Sequence, residues 1–145
     1  MRISTKVDYA VRTVAELASE PGRPLPATQI SEAQAIPLNF VEHILQELQH
    51  GGIVRAEPEP GAGFELARNP AEVTIAEIAE AVDGPLAAVR GEPPEDFTYP
   101  GAASVLPRLW VAVRENLGSV LGKVTIADVA SGKLPASVEA VGARV

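Results

Sequence analysis

The chain has 145 residues, 46% of them apolar and 21% charged, proportions that fit one folded domain and exclude a disordered or collagen-like chain. Cysteine is absent and the net charge is −7, which excludes disulfides and cysteine-ligated metal centres and runs against the basic footprint usual for a nucleic-acid binder. No apolar run reaches the roughly 18–20 residues of a membrane span. Charges at Arg2, Lys6, Asp8, Arg12 and Glu16 break any signal-peptide pattern, so the sequence reads as cytoplasmic, with no membrane partner.

The acidity is uneven: residues 1–83 hold six Arg/Lys against thirteen Asp/Glu, and residues 84–145 hold six against six. Along the chain, Val7, Ala10, Val11, Val14, Leu17 and Ala18 recur at helical spacing and predict a helix over 5–19, capped by Ser4 and ended by Pro21-Gly22. A short helix is predicted over 28–35, with Ile30 and Ala33 inward. Ile36-Pro37 then makes a tight joint to a third helix. In that helix Leu38, Val41, Ile44, Leu45 and Leu48 form an apolar stripe, and Asn39, His43, Gln46 and His50 share the opposite face, flanked by Phe40, Glu42 and Glu47. Gly51-Gly52 ends it.

Two short strands follow, over 53–56 and 64–67, joined by the turn-rich segment from Glu57 to Gly63. Thr74 and Glu77 have capping-box spacing ahead of a helix that Asp83-Gly84-Pro85 stops. Helix, short helix, tight joint, polar-faced helix and hairpin make the order of a winged helix-turn-helix. The expected fold is mainly α with a small β-hairpin wing and a long C-terminal dimerisation helix. A loop covers 84–102. The long helix, over 104–122, places Leu106, Leu109, Trp110, Val113, Leu117, Val120 and Leu121 on one side, with Pro107 in its first turn. A second copy is the economical way to bury that stripe. Thr125 and Asp128 cap a short closing helix, and Pro135 begins a weakly ordered tail. The expected division is therefore a winged unit at 1–83, a loop at 84–102, dimerisation and closing helices at 103–135, and a flexible tail at 136–145.

These pieces together resemble the IscR/NsrR-type (Rrf-two) family of bacterial regulators. The segments concerned are Met1-Arg2-Ile3-Ser4-Thr5-Lys6 with Tyr9-Ala10-Val11-Arg12, Ile30-Ser31-Glu32 through Glu42, Gly61-Ala62-Gly63-Phe64 with Leu66-Ala67-Arg68, Thr74-Ile75 through Leu86, Leu109-Trp110, and Val124 through Val129. The resemblance spans nearly all of 1–134. It implies a homodimeric repressor whose recognition helices enter successive major grooves of a pseudo-palindromic DNA operator, with the wings at the minor groove. In many members three cysteines in the loop before the long helix hold an iron–sulfur cluster. The corresponding loop, 86–107, has none, so the expectation is a cluster-free branch without cofactor, answering to a small molecule, a partner protein or no signal.

Within that reading Asn39 and His43 lie where a recognition helix reaches base edges, Asn pairing with adenine and His donating to guanine or phosphate. Gln46 shares their face. Glu42 can accept from cytosine N4, and Phe40 either packs beside the DNA backbone or closes the core. Arg2, Lys6, Arg12 and Arg55 are candidate phosphate contacts, and Gly61 and Gly63 belong to the wing. The wing tip departs from the family, with Pro58 and Glu59 where relatives carry an arginine and a glycine, and no Lys or Arg stands between Pro37 and His50. The dimer contact is expected from Leu106, Leu109, Trp110, Val113, Leu117 and Leu121. Arg90, Glu92, Glu95, Asp96 and Tyr99 either line an effector pocket or form a solvated loop. His43 and His50, seven apart and without a third ligand, do not make a metal site, and no catalytic constellation is visible. The competing reading is an interaction module that keeps the fold, has lost DNA binding and takes a basic protein.

Overall fold

The computed structural model describes residues 1–144. Helix α1 (Thr5–Ser19) starts where the Ser4 hydroxyl accepts the Val7 amide at 3.1 Å, satisfying one of the orphan donors of a helix start. Helix α2 (Ala27–Gln34) ends on Ala35, whose left-handed backbone (φ +53) turns the chain toward α3 (Leu38–His50). The Ser31 hydroxyl donates to the Ile36 carbonyl across this turn at 2.6 Å, and Ile36 is buried beneath it. Arg12 ties α1 to the same corner. Its Nε donates to Gln34 Oε1 at 3.0 Å and its Nη2 to the Gln34 carbonyl, a group left unpaired by the end of α2.

Strands β1 (Val54–Ala56) and β2 (Phe64–Leu66) pair antiparallel, with Val54, Arg55 and Ala56 opposite Leu66, Glu65 and Phe64. Leu25 adds a one-residue third strand, exchanging both backbone hydrogen bonds with Phe64 at 2.8 and 2.9 Å. Gly63, at φ +99, makes this possible, because a Cβ there would collide with the Leu25 backbone. Helix α4 (Ile75–Asp83) is capped by Thr74, which accepts the Glu77 amide at 3.2 Å. The capping box is only half closed, since the Glu77 carboxylate pairs with Arg68 instead.

Helix α5 (Leu106–Leu121) leads to α6 (Ile126–Ser131), whose capping box between Thr125 and Asp128 is complete. The chain entering α6 pairs with the chain entering α4: the Ile75 amide donates to Val124 at 3.0 Å and the Ile126 amide to Val73 at 2.8 Å. The closing helix, grouped with α5 on sequence, thus packs into the N-terminal unit, and Val124 and Ile126 join its core. That core combines Val14 and Leu17 of α1, Ile30, Val41, Ile44, Leu45 and Leu48, Ile78 and Val82. The result is a winged helix-turn-helix, mainly helical with one small hairpin.

Three local expectations change. Leu38 is exposed rather than part of the α3 stripe, because it occupies the first helical position, outside the packed turns. Ala33 is exposed, leaving Ile30 as the buried residue of α2. The segment expected as a weakly ordered tail holds helix α7 (Ala136–Gly142), with Val138 packed against the core.

Candidate nucleic-acid interface

Helix α3 buries Val41, Ile44, Leu45 and Leu48 completely or nearly so. At roughly 1.5–3 kcal/mol for each buried aliphatic side chain, this stripe fixes the rotation of the helix. Asn39, Glu42, His43, Gln46 and His50 are consequently all exposed. Glu42, His43 and Gln46 line a cleft of about 530 Å³ together with Ala27 at the start of α2 and Phe64 of the wing. Phe40 is 48% exposed and meets Tyr9 edge-on, ring centroids 5.8 Å apart. It therefore stands at the rim of α1 and α3 and does not close the core.

The predicted phosphate contacts fare differently from one another. Lys6 Nζ lies 2.7 Å from Glu47 Oε1, and His43 Nε2 lies 2.9 Å from the same oxygen. Arg12 bonds Asp8 and Gln34 and covers the Tyr9 ring. Arg55 donates through Nε and Nη2 to Glu65 Oε1, at 2.9 and 2.6 Å. Strand alternation puts the Arg55–Glu65 pair on the ribbon face opposite that of buried Val54. Arg2 is exposed and makes no ion pair among the described residues. It lines a cleft beside α5 rather than the one beside α3.

The wing is electrostatically closed on itself. A hydrogen bond with Glu65, followed by Glu65's charge, pushes the Arg55 guanidinium further up. The Glu65 carboxyl is held below its ordinary value by its hydrogen bonds with Glu57 and Arg55, whereas the Glu57 carboxyl is pushed up, chiefly by the hydrogen bond it shares with Glu65. Glu57 therefore keeps a proton to higher pH than an ordinary carboxylate. Gly61 lies at the exposed tip and Gly63 at its half-buried base.

Helix α5 presents the opposite problem. It runs sixteen residues and buries none of them. Leu106, Trp110, Val113, Leu117 and Leu121 are half-buried, and Val105, Leu109 and Val120 are 55%, 50% and 47% exposed. Of the loop residues proposed for an effector, Glu95 is clamped by Arg114 of α5 at 2.7 Å, and Arg90 covers Phe97, which stacks on Tyr99. None of Arg90, Glu92, Glu95, Asp96 or Tyr99 lines the apolar cleft of about 430 Å³ beside α5, which takes Leu86, Ala87 and Ala88 with Ile3, Val7, Leu117 and Leu121.

Sequence reasoning missed Glu47 and Glu65, the carboxylates that hold Lys6 and Arg55. The signals were present: Glu47 is four residues after His43, a helical ion-pair spacing, and Glu65 falls opposite Arg55 once the hairpin register is known.

The family model for Rrf2, described as an iron-dependent transcriptional regulator, matches residues 3–132. A Mycobacterium tuberculosis protein named "Putative HTH-type transcriptional regulator Rv1287" is 40% identical over 136 residues, covering 93% of this chain and 84% of its own. The HTH-type transcriptional regulator IscR of Xenorhabdus nematophila is 32% identical over 88% of this chain and 78% of its own. Among solved structures, CymR, the global cysteine regulator of Bacillus subtilis, superimposes with a TM-score of 0.75 at 24% identity, covering 92% of this chain and 98% of that one. The iron in the family's description does not fit this chain's donors. The 145 residues contain no cysteine, and among the described residues no group of three or more His, Asp or Glu side chains is placed to hold a metal ion.

Proposed function

The chain belongs to the Rrf2 family of transcriptional regulators, and from that premise we propose that it is a sequence-specific DNA-binding repressor acting as a homodimer without an iron–sulfur cluster. One observation carries this reading: α3 is locked in rotation by its buried stripe and turns Asn39, Glu42, His43 and Gln46 outward, the last three in a cleft beside the hairpin. Those four side chains offer amide, carboxylate and imidazole groups, the chemistry that reads base edges in a major groove. Two copies joined along the apolar face of α5 would present two such helices to successive grooves of one operator. No helix among the described residues is long and apolar enough to cross a membrane.

The test is titration of the chain against its own upstream DNA and a scrambled duplex, followed by fluorescence anisotropy at several salt concentrations. A specific regulator binds the cognate fragment about a thousandfold or more above the scrambled one, with affinity falling as salt rises. Equal, feeble binding to both duplexes refutes it.

A second reading has a specific observation in its favour. Lys6, Arg12 and Arg55 all stand in ion pairs with carboxylates, as they would in an interaction module that has lost DNA binding and takes a basic protein. Specific operator binding without recovery of a stable protein partner removes it. An effector acting through the 86–102 loop is tested by operator affinity across a metabolite screen, where no change in affinity refutes it.

A further inference from the structure

Helix α5 does not present its apolar residues evenly. Leu109, Ala112 and Asn116 are exposed, as is Val105 at the helix start, whereas Leu106, Trp110, Leu117 and Leu121 are half-buried within their own chain. The exposed four recur four, three and four residues apart, the spacing of a seam along which two helices pack. Of the residues expected at the dimer contact, Leu109 is the one on this outward seam. Asn116 fits there because its side-chain amide already donates to the Ala112 carbonyl at 2.9 Å.

The two edges of the seam differ. Arg108 and Glu115 stand exposed on one edge, Leu106 and Val113 half-buried on the other. Among the described residues Arg108 makes no ion pair. Glu115 has one long contact, 3.5 Å to Arg114, whose guanidinium Glu95 holds at 2.7 Å. In a parallel pair of helices each edge meets the partner's opposite edge, which would set Arg108 and Glu115 against valines at 113 and 120. In an antiparallel pair each edge meets its own kind, charge on charge and apolar on apolar. With Leu109 on Ala112 of the partner subunit, Arg108 comes opposite Glu115 of the partner subunit, twice by symmetry. A slide of one heptad either way sets Glu115 or Arg108 against its own copy, and like charges repel.

We propose that two copies of this chain pair antiparallel through α5 in this register, which Arg108 and Glu115 select. The inference rests on the homodimer reading above. The winged unit adjoins the C-terminal end of α5, where Leu117 and Leu121 share a cleft with Ile3 and Val7. An antiparallel pair holds the two winged units at opposite ends of helices about 24 Å long, as suits recognition helices that must reach grooves about 34 Å apart. A parallel pair sets them side by side.

The full chain has no cysteine, so introduced thiols report the register directly. Val105→Cys combined with Asn116→Cys is expected to oxidise to a covalent dimer, because the two positions face one another. Each single variant should stay non-covalent, since its two thiols lie about 16 Å apart along the axis, beyond the reach of a disulfide. Charge reversal gives a second reading, by sedimentation at about 50 mM salt. Arg108→Glu and Glu115→Arg should each weaken the dimer about tenfold, and the double reversal should return it to within about threefold of the unaltered chain. Net charge cannot imitate this, since Arg108→Glu makes an acidic chain more acidic and Glu115→Arg makes it less so.

Crosslinking of either single thiol overturns the antiparallel register. A dimeric chain that the paired thiols fail to capture overturns the contact, and a double reversal no tighter than the single ones overturns the role of the two charges. Each of these leaves the homodimer reading standing, because the unaltered chain is dimeric. A chain that sediments as a monomer in every form refutes that reading and the proposal together.

Discussion

Helices α3 and α5 have the same amphipathic design and opposite fates. In α3 the stripe of Val41, Ile44, Leu45 and Leu48 disappears into the core of a single chain, and what remains outside is polar. In α5, three residues longer, no side chain is buried, and what remains outside is leucine, valine and part of a tryptophan. A helix whose apolar face is satisfied within the chain has its polar face free for recognition. A helix whose apolar face is left in water calls for a partner.

The largest expected effect tests that contrast directly. Leu45→Ala opens a cavity in a fully buried site and should cost about 2–5 kcal/mol of stability, measured by urea unfolding. Leu109→Ala, at a half-exposed site, should cost well under about 1 kcal/mol when the protein is dilute enough to be monomeric. Equal costs would mean that α5 is as much a part of the single chain's core as α3.

Next comes the partner. Leu109→Glu places a charge on the exposed stripe, in the first turns of α5, where it is harmless in water and costly in a dry contact. Sedimentation should show a monomer, whose melting temperature matches that of the unaltered chain diluted until it too is monomeric. Operator affinity should fall about a hundredfold or more, because linking two half-site contacts contributes roughly 10²–10⁴ in avidity. A dimer that survives Leu109→Glu would place the interface elsewhere. On the other side of the comparison, Asn39→Ala should lose about 1–3 kcal/mol of discrimination at one base pair of each half-site, read by titrating single-base operator variants. Uniform weakening of all the variants would make Asn39 a phosphate contact instead.

The two helices also differ in how legible they were. The stripe of α3, the tight joint before it and the glycines after it are local signals, and they gave both the rotation of the helix and the outward set. The wing followed from its turn residues and the order of elements. What the sequence hid was pairwise and long-range. Nothing local says that Arg12 will cap the end of α2 through Gln34, or that Val124 and Ile126 return to pair with Val73 and Ile75 and draw α6 into the core. Nor does a count of lysines and arginines show that Lys6 and Arg55 face carboxylates. That depends on how α1 crosses α3 and on the register of the hairpin.

The smallest effect concerns how α5 is tethered to the loop that precedes it. Glu95 is held below the ordinary carboxylate range, first by its own backbone amide and then by Arg114. A carboxyl with a lowered value in the folded chain contributes stability above its unfolded value, about 4.3, and that contribution disappears as pH falls through the folded value. The clamp should therefore be intact at neutral pH and release only in acid, below the usual glutamate range. Trp110, one helical turn before Arg114 and the single tryptophan of the chain, gives the signal. Its fluorescence should show a step at that low pH which Glu95→Gln removes, with little change in thermal stability at pH 7, since the pair is exposed and screened by solvent. A step that persists in Glu95→Gln would assign the acid response to another carboxylate, and a large loss of stability at pH 7 would mean that the arm carrying α5 is fastened to the core chiefly through this pair.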